Sequence, residues 1–213
     1  EDEFTIERGT DGVNFTEVAT VASNVTGYSD GELSADTRYY YRVRAHNAGG
    51  YSDYSNTANA TTEKPPLEVI LDNGALSGVT ITGVWTLTTS VPVGQTYYGL
   101  HHLHDGNTGK GTKQVRFTPD LPAADSYDVY LWWAAKDNRA SNVPVDIIHA
   151  GGTTTVTVNQ RINGSRWIRL GSFVFEAGSA GHLLVRTDGT DGYVYADAAR
   201  WVKQLREMAS GAR

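Results

Sequence analysis

The side chains with the most chemistry to offer are Tyr98, His102, His104, Asp105, Asn107, Lys110, Tyr130, Trp132, Asn138, Arg139 and Asn142, all between Tyr97 and Pro144. Aromatic rings stack on the apolar face of a pyranose. Amides, carboxylates, imidazoles and guanidinium groups make paired hydrogen bonds to neighbouring hydroxyls. The set therefore has the composition of a glycan-binding site. Arg139 can fork onto a carboxylate and Lys110 can add a point charge, so an acidic polysaccharide would suit it. The competing structural reading pairs Arg139 with an internal Asp and uses the asparagines to tie turns. Asn159 and Gln160, after the run TTTVTV, are expected to face the same loops.

Two metal readings compete for the histidine-rich stretch. His102 and His104 lie on one side of a strand, and with Asp105 they offer zinc ligands. No water-activating Glu stands nearby, so hydrogen-bonding histidines are the plainer reading. Asp105 and Asn107 offer oxygen atoms to a structural calcium ion, against a turn-stabilising role. No catalytic residue is assigned and no cofactor is expected. Phosphate-binding, dinucleotide, nucleophile-elbow and zinc-protease motifs are all missing. DGNTGKG at Asp105–Gly111 lacks the distal Glu of an EF-hand and the glycine spacing of a P-loop.

These loops need strands to hold them. TKQVRFTPDLP and DSYDVYLWWAA are β-rich segments bounded by Pro, Gly, Asp and Asn, while HHLHDGNTGKG and KDNRASN read as loops. In the second strand Tyr127, Val129, Leu131 and Trp133 share one face, expected to be core. Tyr130 and Trp132 look outward. Trp167 is expected in the core, His149 as a structural histidine and Asp197 as a buried hydrogen-bonding carboxylate. LEVILD, TGVWTLTTS, VPVDIIH, TTTVTVNQ, WIRLGSFVF, GHLLVRT and GYVYADAARWV complete the series. The pattern predicts an antiparallel sandwich of roughly eight to ten strands.

The chain has 213 residues, 39% of them hydrophobic, and a net charge of −6. Duplex nucleic acid is not an expected partner, since its binding rests on a basic surface. No apolar run reaches the length of a membrane span. There is no Cys, which removes disulfides and thiolate chemistry.

The first third has its own pattern. Phe4, Ile6, Phe15, Val18 and Val21 flank the turn Thr10-Asp11-Gly12, a hairpin signal. Tyr39, Tyr41, Val43 and Ala45 then alternate with Tyr40, Arg42 and Arg44. Leu33, Thr37, Tyr39 and Tyr41-Arg42-Val43-Arg44-Ala45, followed by Asn47-Ala48-Gly49-Gly50, resemble the later strands of a fibronectin type III domain. The resemblance implies a corner role for Tyr39, its hydroxyl bonding nearby backbone. About 60 residues are present where such a sandwich takes about 100. Residues 1–62 are therefore expected to be a partial domain whose first strands are missing, cut from a longer chain. Residues 63–66, with Pro65-Pro66, read as a stiff linker.

Residues 67–203 resemble the golvesin and xanthan-lyase C-terminal β domain. The resemblance is carried by Gly83-Val84-Trp85, Tyr97-Tyr98-Gly99, His104 to Gly111, Phe117 to Pro122, Asn138 to Pro144, Leu170-Gly171-Ser172-Phe173 and Tyr193 to Ala198, among others. It implies an all-β architecture: a galactose-binding-like, jelly-roll antiparallel sandwich behind the partial type III unit. It also implies a non-catalytic, carbohydrate-binding accessory module of a secreted bacterial enzyme, with a catalytic domain upstream in the same chain; the module is expected to be monomeric. A structural spacer or cell-surface interaction module without a sugar site is the alternative. Residues 204–213 have helical composition but are too short for a stable helix, and are expected to be a tail.

Overall fold

The computed structural model describes residues 1–64 and 67–205. The Pro65-Pro66 linker and the last eight residues of the expected tail lie outside the described residues. Two compact units separate at Pro65–Pro66. Every regular element among the described residues is a β-strand.

The first unit is one antiparallel sheet of β1 (Glu3–Gly9), β2 (Thr16–Ala22), β3 (Arg38–Asn47), β4 (Gly50–Tyr51) and β5 (Ala58–Thr61). β1 pairs with both β2 and β3. The alternation along β3 sorts its side chains as expected. Arg42 and Arg44 stack on Tyr54 and pair with Glu7 on one face. Tyr41 and Val43 join Phe4, Ile6, Val21 and Leu33 on the other. That apolar face is an open groove of about 600 Å3, not a closed core. The Tyr39 hydroxyl accepts the Ser34 N–H at 3.0 Å.

The second unit contains β6 (Glu68–Asp72), β7 (Val79–Thr82), β8 (Thr86–Thr88), β9 (His102–His104), β10 (Gln114–Phe117), β11 (Asp125–Trp132), β12 (Val143–His149), β13 (Gly152–Val158), β14 (Ile168–Phe175), β15 (His182–Arg186), β16 (Tyr195–Ala196) and β17 (Ala198–Lys203). One sheet has the order β13-β12-β15-β10-β7, a second β14-β11-β17-β6. The core lies between them. Val115, Phe117, Val145, Ile147, Leu183 and Val185 of the first sheet are buried, as are Tyr127, Val129, Leu131, Phe175 and Trp201 of the second. The period of two in DSYDVYLW is thus the alternation of a strand with one face in the core. Burying each large apolar side chain contributes roughly 1.5–3 kcal/mol.

The strand count exceeds the expected number because two segments are broken. TGVWTLTTS splits into β7 and β8 at Gly83, whose φ of 78° ends the first ladder. GYVYADAARWV splits into β16 and β17. HHLHD, expected as loop, supplies β9. β16, β9 and β8 form a small third sheet. Gln204, placed in the tail by sequence, is bonded to the sandwich: its N–H donates to Ser126 O at 2.9 Å.

Candidate functional site

The small third sheet positions a cleft. Along β9, His104 lies opposite Tyr195 of β16 and Thr86 of β8, and His102 opposite Thr88. Tyr195 is fixed by Gln160. The Gln160 Nε2 donates to Tyr195 O at 2.7 Å and its Oε1 accepts the Tyr195 N–H at 2.8 Å. Both partners are buried, so each bond spares a backbone group the cost of going unpaired. The 136–142 loop is pinned alongside. Ala140 N donates to Tyr193 O at 2.8 Å and Tyr193 N to Asn138 O at 3.1 Å. Gly192 permits this approach: a Cβ there would sit 2.6 Å from the Arg139 carbonyl oxygen. Asp191 braces the far side, accepting from Ser141 and pairing with Arg161.

The resulting cleft has a volume of about 330 Å3 and is lined by Thr88, Ser90, Val91, Pro92, His104, Lys136, Asn138, Arg139, Tyr193 and Tyr195. Its volume falls at the lower end of the range for small-ligand sites. In the larger groove of the first unit, Asp30 and the Tyr41 hydroxyl are bonded to each other. Arg139, only 4% exposed, lies with its guanidinium carbon 3.7 Å from the Tyr195 ring centre. Nη1 donates to Asn138 Oδ1 at 2.6 Å, and Nε makes a long 3.4 Å contact to Ala134 O. Burial pulls its pKa below the usual arginine value, with Tyr195 and Asp137 acting in the opposite direction. The expected pairing with an internal Asp is not found: no ion pair joins Arg139 to a carboxylate among the described residues.

His104 packs edge-on against Tyr193 and tilted against Tyr195. Its Nδ1 accepts the Gly106 N–H at 3.0 Å, which leaves the proton of the neutral ring on Nε2. Burial lowers its pKa, opposed by Asp105. At neutral pH the ring is therefore an uncharged donor.

Of the residues singled out by sequence, His104, Asn138 and Arg139 meet in this cleft. Several others have interior work instead. His102 is fully buried, its Nε2–H donating to Ser90 O at 3.0 Å, and cannot reach a ligand directly. Asp105 is 1% exposed and receives Lys110 Nζ at 2.6 Å, Asn107 N at 2.8 Å and Val194 N at 3.0 Å. That shell answers the calcium reading: a lysine ammonium already occupies the carboxylate. No cluster of three or more His, Cys, Asp or Glu that could hold a metal occurs among the described residues. Asn107 turns at φ 55°, and Lys110 is held by Asp105. Asn142 bridges Gly189 O and Asp191 N. Gln160, expected at the loops, is the buried clamp on Tyr195, whereas Asn159 is exposed.

Tyr98, Tyr130 and Trp132 form a separate aromatic face. Trp132 and Trp167 pack at 5.4 Å, Tyr98 and Trp167 at 5.1 Å, and Arg200 lies 5.6 Å from the Tyr130 ring centre. Each ring is half-buried, and Trp132 Nε1 donates to Thr96 O of the covering loop. Trp167, expected in the core, belongs to this face. Sequence reasoning missed Tyr193, Tyr195, Lys136, Thr88 and Ser90 as cleft residues. The spacing of two in GYVYADA, which puts both tyrosines on one side of an extended segment, was the available signal.

The family model for the Golvesin C-terminal domain matches residues 69–203. Xanthan lyase of Bacillus sp. (strain GL1) is 50% identical over 137 residues, covering 63% of this chain and 14% of that protein. The solved structure of a Paenibacillus xanthan lyase matches with a TM-score of 0.65 at 37% identity, over 96% of this chain and 21% of that one. The chain thus spans a small part of the length of the enzymes it matches.

Proposed function

The chain belongs to the golvesin C-terminal domain family, and from that premise we propose that it is a non-catalytic module that binds polysaccharide on behalf of an enzyme in the same polypeptide. The observation that carries this reading is the cleft, where the half-buried ring of Tyr193 stands beside the hydrogen-bonding groups of His104, Asn138 and Arg139, with the buried Tyr195 backing them. That combination of an aromatic wall and convergent polar groups suits a sugar ring better than an apolar ligand. Similarity to part of two xanthan lyases supports a polysaccharide as ligand and an attached catalytic domain. Tethering would raise that domain's effective substrate concentration. An extracellular location follows from the substrate class, as polymeric glycans of this kind are met outside the cell.

The rival reading is a spacer with no sugar site. The packing of Tyr98, Trp132 and Trp167 on one another, with Trp132 bonded to Thr96 O, favours it for the aromatic face alone, because half-buried rings turned toward each other offer a sugar less open surface. Affinity electrophoresis through gels containing xanthan, alginate, pectin or neutral glucans tests the proposal. At least one polymer should retard the chain, and Tyr193→Ala should abolish the retardation while leaving tryptophan fluorescence unchanged. A folded chain that migrates freely through all of them would favour the spacer.

A further inference from the structure

Resting on the glycan-binding reading of the cleft, we infer that Arg139 is a carboxylate-recognition residue and that the cleft selects sugars bearing a carboxylate, such as uronates. The chain carries a net charge of −6, yet the cleft lining contains Arg139 and Lys136 and no Asp or Glu. An arginine that is only 4% exposed as a residue would ordinarily be matched by an acid inside the fold, because an unmatched buried charge is costly. Here its partners are a neutral amide, a long carbonyl contact and the face of Tyr195. Asp137 adjoins it in sequence but is exposed and forms no ion pair with it.

The surroundings fix the fork in place without neutralising it. The guanidinium carbon lies over the Tyr195 ring, and Asn138 holds Nη1. Tyr195 is in turn fixed by Gln160. A rigid planar fork facing a polar cleft matches a planar carboxylate, which can take two parallel hydrogen bonds. Neutral His104 adds a donor and no charge. A single buried cation also suits a singly charged carboxylate better than a more highly charged group.

The test compares each acidic polysaccharide that retards the chain with the same polymer after carboxyl reduction. Pectin's polygalacturonate backbone is run beside its methyl ester. Removing the ligand charge should weaken retention by about 10- to 100-fold, the range of a charge-assisted hydrogen bond. Arg139→Gln should lose a similar factor on the acidic polymer and very little more on the reduced one. Arg116→Gln, which removes an exposed charge from β10, serves as the control for net charge. If Arg139→Gln fails to fold, the acidic and reduced polymers compared on the unaltered chain still decide.

Equal retention by both forms, with Tyr193→Ala still abolishing it, overturns the inference and leaves glycan binding standing. So does equal loss in Arg116→Gln, or retention by dextran sulfate as strong as by the uronate. Free migration in every gel overturns the glycan reading and the inference with it.

Discussion

Replacing Asp197 with Asn should change how the stability of the second unit depends on pH. Asp197 lies between β16 and β17, is fully buried, and receives one donor, the Tyr98 N–H, at 3.1–3.2 Å from its two oxygens. Burial raises its pKa to about 8 from 3.8; the Tyr98 bond opposes the rise and the Asp72 charge adds to it. The folded state therefore keeps a proton that the unfolded chain releases near pH 4. Between pH 4 and pH 8 the unfolded state binds fewer protons, so stability falls as pH rises. At about 1.4 kcal/mol per unit, the loss across that window is on the order of several kcal/mol. Asn has the shape of the protonated acid, keeps an acceptor for Tyr98, and cannot ionise. The variant should match the parent near pH 4 and exceed it by a few kcal/mol at pH 8. All five tryptophans lie in the second unit, so urea unfolding followed by their fluorescence reports on the relevant unit. Comparing variant and parent at each pH cancels the other titrating groups. A stability difference that does not change with pH, or a variant weaker at pH 8, would refute the assignment of a protonated Asp197.

Four further outcomes follow from the geometry. Gln160→Ala leaves the buried Tyr195 N–H and C=O without partners and should cost about 2–4 kcal/mol, read from the urea midpoint. Gly192→Ala pushes a methyl group against the Arg139 carbonyl, so glycan retention in affinity gels should fall more than fluorescence-monitored stability. Lys110→Ala removes the cationic partner of the buried Asp105 carboxylate and leaves it two backbone donors, so it should cost about 1–3 kcal/mol in the same unfolding assay. By contrast, calcium or a chelator should leave the parent's melting temperature unchanged.

The sandwich was legible because its strands obey a simple alternation. Along β11 every second side chain enters the core, and hydrophobic pattern alone sorts Val129 and Leu131 from Asp128 and Tyr130. The cleft was less legible. Its sheet uses strands of two or three residues, too short to show a period, and its register joins Leu103 to Ala196 across most of the domain. His102 and His104 read as a like pair, yet one is sealed against Ser90 and the other lines the cleft. Neighbours in sequence cannot reveal that difference, because Tyr193 and Tyr195 create it from far along the chain. Arg139 was recognised as a candidate from its chemistry. That no internal acid would meet it depended on packing.

The most direct test is residue-resolved. Amide NMR shifts of the labelled chain can be followed during titration with oligosaccharides cut from a polymer that retards it. The cleft account predicts saturable shifts concentrated at Thr88–Val91, His104, Lys136–Arg139 and Tyr193–Tyr195. Saturable shifts centred instead on Tyr98, Tyr130, Trp132 and Trp167, with the cleft residues unmoved, would contradict it.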